Sequence, residues 1–105
     1  MIKLKRKDSS ADRGCPYEVY INDKLVCKIN NGEELGLDLK QGEYIIQIKA
    51  HNFVSEKVKF TLFENQFASF ICYPLYSENK GTKFIYKSLF NKVGIALEKQ
   101  HDFYL

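Results

Sequence analysis

The side chains best suited to nucleophilic or acid–base chemistry are His51, His101 with its neighbour Asp102, and three cysteines, Cys15, Cys27 and Cys72. Hydrolysis by a side-chain nucleophile needs a nucleophile, a base and an orienting group that meet in space. His101 and Asp102 have the right types, but neighbours on a strand point to opposite faces, so this carboxylate does not orient this imidazole. His51 falls at a strand end, where an imidazole is solvated. Cys15 precedes Pro16 in a polar loop and is the thiol expected to be exposed, with only Arg13 near it as a cation to lower its pKa. Cys27 lies in period with Leu25 and Ile29 and reads as core. No CxxC pair or zinc-ligand spacing is present, and no Asp/Glu pattern matches a calcium loop. The glycines at 14, 32, 36, 42, 81 and 94 are dispersed, so none builds a phosphate cradle or dinucleotide fingerprint. The expectation is therefore no catalytic, cofactor-binding or metal-binding residue, no cofactor, no enzyme activity, and three reduced thiols.

Charge and aromatic content bear on partners. The chain has 105 residues and a formal net charge of +3. Lys3, Lys5, Arg6, Lys7 and Arg13, set against Asp8 and Asp12, account for all of that excess, and the remainder is balanced. A nucleic-acid binder usually spreads Lys and Arg over a face or groove. Seven Tyr and eight Phe are present. Phe is expected to fill the interior and Tyr to sit at its rim with the hydroxyl in water. Tyr20, between Glu18 and Asn22 on a polar face, is the exception, a candidate to join Tyr73, Tyr76 or Tyr86 in an exposed patch. The longest uncharged stretch, 65–77, contains Pro74 and falls short of the roughly 20 residues that span a bilayer, so no membrane span is expected. The first residues are basic without a following apolar region, which reads as no secretory signal and a cytoplasmic location.

The elements that carry these residues follow a period of two. Ile2 and Leu4 alternate with Lys3, Lys5 and Lys7. Tyr17, Val19 and Ile21 share one face, Asn22-Asp23 is a two-residue turn, and Leu25, Cys27 and Ile29 answer on the next strand. Asn30-Asn31-Gly32 breaks the chain before Leu35, Leu37 and Leu39. Lys40-Gln41-Gly42 turns into Tyr44, Ile46, Ile48 and Ala50, and His51-Asn52 ends that strand. One run covers 54–62, with Glu56 on its apolar side marking an edge, and another covers 67–73. For 83–92 a short helix and a strand both fit; a turn at 91–94 then leads to a last strand at 95–99. Seven or more short runs with no long helix predict an all-β, antiparallel two-sheet sandwich of about 7–8 strands, one domain over 1–105. The first and last strands are expected to pair with each other, which takes Ile2, Leu4, Ile95 and Leu97 out of water.

The stretch Val19-Tyr20-Ile21-Asn22-Asp23-Lys24, then Asn31-Gly32, then Leu39-Lys40-Gln41-Gly42-Glu43-Tyr44, resembles small bacterial PEGA-like and carboxypeptidase-regulatory-like domains. The resemblance spans about residues 17–73. Asp23 stands where glycine is usual, Tyr44 where histidine is common, and no Pro-Glu-Gly-Ala stretch is present. It implies a prealbumin- or immunoglobulin-like sandwich that serves as a non-catalytic interaction or accessory module, binding a protein or, second to that, a glycan. The alternative is a small oligonucleotide-binding barrel that holds single strands with the basic N-terminal segment and surface aromatics. Seven or more strands exceed the five of that barrel, which favours the module.

Overall fold

The computed structural model describes residues 1–9, 14–50, 53–75 and 93–104. Among the described residues there are nine strands: β1 (Ile2–Arg6), β2 (Tyr17–Ile21), β3 (Lys24–Ile29), β4 (Glu34–Leu37), β5 (Gly42–Ala50), β6 (Phe53–Ser55), β7 (Val58–Leu62), β8 (Gln66–Pro74) and β9 (Val93–Tyr104). The all-β class expected from the alternation is what the chain adopts, with no helix among the described residues. The choice between helix and strand at 83–92 lies outside the described residues.

The strands do not divide into two sheets. A continuous ladder runs β3-β2-β5-β6-β9-β8-β1-β4, with β7 also on β5, and curls into a nearly closed barrel. Alternation alone does not separate the two architectures, because a barrel strand and a sandwich strand each have one inner and one outer face. Ile2, Leu4, Val19, Ile48, Phe70 and Ile95 are among the side chains that fill the interior.

Local chemistry explains the joints. Asn22 (φ 51°) and Asp23 (φ 64°) both occupy the left-handed region that a two-residue hairpin turn requires, and Asn22 Oδ1 accepts the Ile45 N–H at 2.9 Å. The run predicted over 54–62 is broken by Glu56 and Lys57. Ser55 Oγ takes the place of a ladder carbonyl by accepting Ile48 N–H, and the Gln47 amide donates to Ser55 O, both at 2.9 Å. This irregularity lets the chain branch. Both β6 and β7 pair with β5, and β6 also runs parallel to β9 on its other edge.

The end of the chain differs from expectation in two ways. Gly94 lies within β9 rather than in a turn before it, and the strand continues to Tyr104. A Cβ at Gly94 would sit 2.5 Å from the Phe53 ring, so only glycine lets β6 approach this closely. The terminal strands also do not pair with each other. β1 lies between β4 and β8, while β9 lies between β8 and β6. β8 separates them because this nine-residue strand accepts β1 in parallel on one edge and β9 antiparallel on the other.

Candidate interaction surface

Two features of the barrel were not visible in the sequence, and both lie where the ladder stops. β3 and β4 are successive in the chain yet occupy opposite ends of the strand order. Among the described residues they leave a seam in the wall, and the turn at Asn30–Glu33 lies at one end of it. Glu33 N–H closes that turn on Asn30 O at 3.0 Å.

Arg6 holds this corner. Its side chain is 1% exposed. Nη1 donates to Cys15 O at 2.7 Å and to Ile29 O at 3.1 Å, and Cζ stands 3.7 Å from the centre of the Tyr17 ring. Its backbone N–H donates to Glu33 O at 3.0 Å. One residue of β1 thus grips both sides of the turn from which the two edges diverge. The sequence carried a hint, since Arg6 falls on the same face as Ile2 and Leu4. Alternation alone does not reveal the backbone carbonyls and aromatic face that meet it inside.

The β3 edge exposes apolar side chains at its centre. Leu25 was expected to share the inner face with Cys27 and Ile29. Instead a bulge intervenes: Cys27 opposes Val19, Leu25 opposes Tyr20, and Val26 is the extra residue. Leu25 and Val26 are 49% and 47% exposed. Across the seam, β4 carries Glu34 outward and Leu35 and Leu37 half-buried against the core.

The other predicted residues are not brought together. His51, Tyr76 and Tyr86 lie outside the described residues. His101 and Asp102 are consecutive on β9, opposite Ser69 and Ala68. Among the described residues no group of three or more His, Cys, Asp and Glu could hold a metal ion. Tyr20 and Tyr73 belong to separate places, since β2 and β8 are four steps apart in the strand order, about 19 Å along the sheet. Lys49 Nζ stands 4.3 Å from the Tyr20 ring centre. Tyr73 donates its hydroxyl to Glu98 at 2.8 Å, a bond that raises its pKa. Lys7 Nζ lies 4.5 Å from the Tyr73 ring and Lys3 Nζ 5.9 Å from that of Phe67. Lys3 also reaches Glu34 at 3.9 Å.

None of the three thiols is in a disulfide. Cys15 lines a shallow depression with Pro16, Glu18, Lys28 and Ala50. Burial, with Glu33 nearby, raises the pKa of Cys27, and deeper burial pushes that of Cys72 up to about 12. Alkylation under denaturing, non-reducing conditions is expected to modify all three, and in the folded protein Cys72 is expected to react last. Intact mass is the readout; a stable species with a single modified cysteine would contradict the assignment.

The chain matches no family model, no curated protein and no solved structure. Fold and surface together define its class: an all-β, nearly closed barrel with an open seam and an apolar strand edge.

Proposed function

We propose that this chain is a non-catalytic interaction module that takes a protein partner by adding an extended segment to the edge of β3. The observation that carries the reading is the pair Leu25 and Val26, about half exposed on a strand that ends the ladder. Edge strands of soluble proteins are usually blunted, because their open peptide groups template further pairing. Here Lys24, Lys28 and the bulge at Val26 limit indiscriminate pairing, while the exposed Leu25 and Val26 suit addition of a matched strand, where main-chain bonds supply affinity and alternate side chains supply specificity. The turn pattern that resembles PEGA-like modules supports an accessory role of this kind in a bacterial cytoplasm. No helix among the described residues is long and apolar enough to cross a membrane.

A second reading rests on one observation, Lys3 and Lys5 on the outer face of β1 and Lys7 just beyond its end, with Phe67 and Tyr73 beside them. Cations over aromatic rings suit a single-stranded nucleic acid. Glu34 and Glu98 lie in the same row, and their charge opposes phosphates, so strand addition is the favoured reading.

Peptide display against the intact protein tests both. Selected peptides are expected to alternate apolar with acidic residues, to protect the amides of 24–29 from exchange, and to lose binding to a Leu25→Lys/Val26→Lys variant. Peptides that bind this variant as well would sink the edge reading. Micromolar binding of labelled oligonucleotides that falls steeply with salt and vanishes in a Lys3/Lys5/Lys7→Ala variant would favour the nucleic-acid reading.

A further inference from the structure

The two edges that border the seam are opposite in charge. β3 sets Lys24 and Lys28 around Leu25, Val26 and Cys27, whereas β4 and the residue after it read Glu34-Leu35-Gly36-Leu37-Asp38. Two β3 edges paired antiparallel about Val26 would bring Lys24 of each copy close to Lys28 of the other. Two β4 edges paired about Gly36 would put Glu34 against Asp38. Like charges directly opposite are destabilising, so neither edge suits its own copy.

Edge β3 against edge β4 has no such conflict. Run antiparallel, it sets Lys28 opposite Glu34, both outward, and Cys27 opposite Leu35, both toward the interior. Farther along, past the bulge at Val26, Leu25 comes level with Gly36 and Lys24 with Leu37, next to Asp38. Gly36 has no side chain of its own there, and the Met1 side chain lies over it, with its Cε 2.7 Å from where a Cβ would be. The exposed large apolar side chains among the described residues are Met1, Leu25, Val26 and Phe63. Leu25 and Val26 lie on the β3 edge and the Met1 side chain lies over Gly36 of the β4 edge, so a single contact would cover all three.

We propose that β3 of one copy pairs antiparallel with β4 of a second copy, Lys28 opposite Glu34, with Leu25 and Val26 seated against Met1 and the bare backbone of Gly36. The proposal rests on the reading that the β3 edge takes an extended segment, and names that segment. The contact is heterologous, since different residues meet from each side.

Sedimentation velocity on the full chain tests it. The mass is expected to rise with concentration. Lys24→Glu/Lys28→Glu and Glu34→Lys/Asp38→Lys should each weaken association by roughly tenfold or more. An equimolar mixture of the two should associate again, because the unaltered acidic β4 of the first meets the unaltered basic β3 of the second, and the two reversed edges also match. Thermal melts check folding, and Lys28→Glu with Glu34→Lys replaces any double variant that does not fold. A wild-type chain that stays monomeric overturns the second copy as occupant. In that case a synthetic peptide of residues 33–39 decides the underlying reading. Shifts confined to the amides of 24–29 in NMR would leave strand addition standing, and no shifts would remove both. Association that survives in both variants places the contact elsewhere and overturns the proposal.

Discussion

Replacing Arg6 by alanine is expected to destabilise the protein by about 3–5 kcal/mol, the largest effect of any single change outside the hydrophobic interior. A guanidinium presents five N–H donors, so the fold must supply acceptors for it inside. Here the acceptors are the carbonyls of Cys15 and Ile29, and the Tyr17 ring covers its face. Alanine leaves both carbonyls without this donor and opens a cavity beneath Tyr17. Each carbonyl left unsatisfied costs about 1–3 kcal/mol, and the lost volume adds to that. Arg6→Met restores most of the volume but neither hydrogen bond, and should fall between alanine and wild type. With roughly 4–8 °C per kcal/mol for a domain near this size, Arg6→Ala should melt on the order of 20 °C lower. Thermal denaturation followed by circular dichroism reads this directly. A midpoint within a few degrees of wild type would show that Arg6 does not hold the corner of the seam.

Phe70→Ala should have a comparable effect, about 3–5 kcal/mol for a buried phenylalanine, for a different reason. Phe70 is fully buried on β8, and its ring meets Phe60 of β7 edge-on at 5.0 Å and 61°. Phe60 in turn stacks on Tyr44 of β5 at 5.6 Å. The three rings join β5 and β7 to β8 across the interior, where direct ladder pairing is absent between β7 and β8. Beyond the area buried, such ring pairs contribute about 0.5–1.5 kcal/mol each. Phe60→Ala should therefore be less than additive with Phe70→Ala, since the first change already removes the contact that the second would lose. Urea unfolding of the single and double variants gives the coupling. An additive pair with an unchanged dependence on denaturant would mean that the rings do not act together.

Much of the local structure was legible. β1, β2, β5 and β8 follow from alternation, and the Asn22-Asp23 turn from two residue types that tolerate a left-handed backbone. The last strand was legible only in its centre. Gly94 suggested a turn, because a glycine's need for space next to Phe53 depends on a ring some forty residues away in the chain.

The candidate surface was legible in its ingredients and not in its arrangement. Lys24, Lys28, Glu34 and Asp38 are plain in the sequence, but their lying on two edges of one seam depends on where the ladder stops. Leu25 was assigned to the wrong face because a single bulged residue reverses the alternation beyond it, and nothing in Leu25-Val26-Cys27 marks where the bulge falls. By itself, then, the sequence determined that the chain is built of short strands with one apolar face each, and where most of them turn. Tertiary structure alone decided which strands are neighbours, that β8 separates the first strand from the last, and that an arginine belongs inside. The physical reason is range. Alternation and turn chemistry act between residues a few positions apart, whereas pairing order and the burial of Arg6 depend on partners such as Cys15 and Ile29 that only the closed fold brings to it.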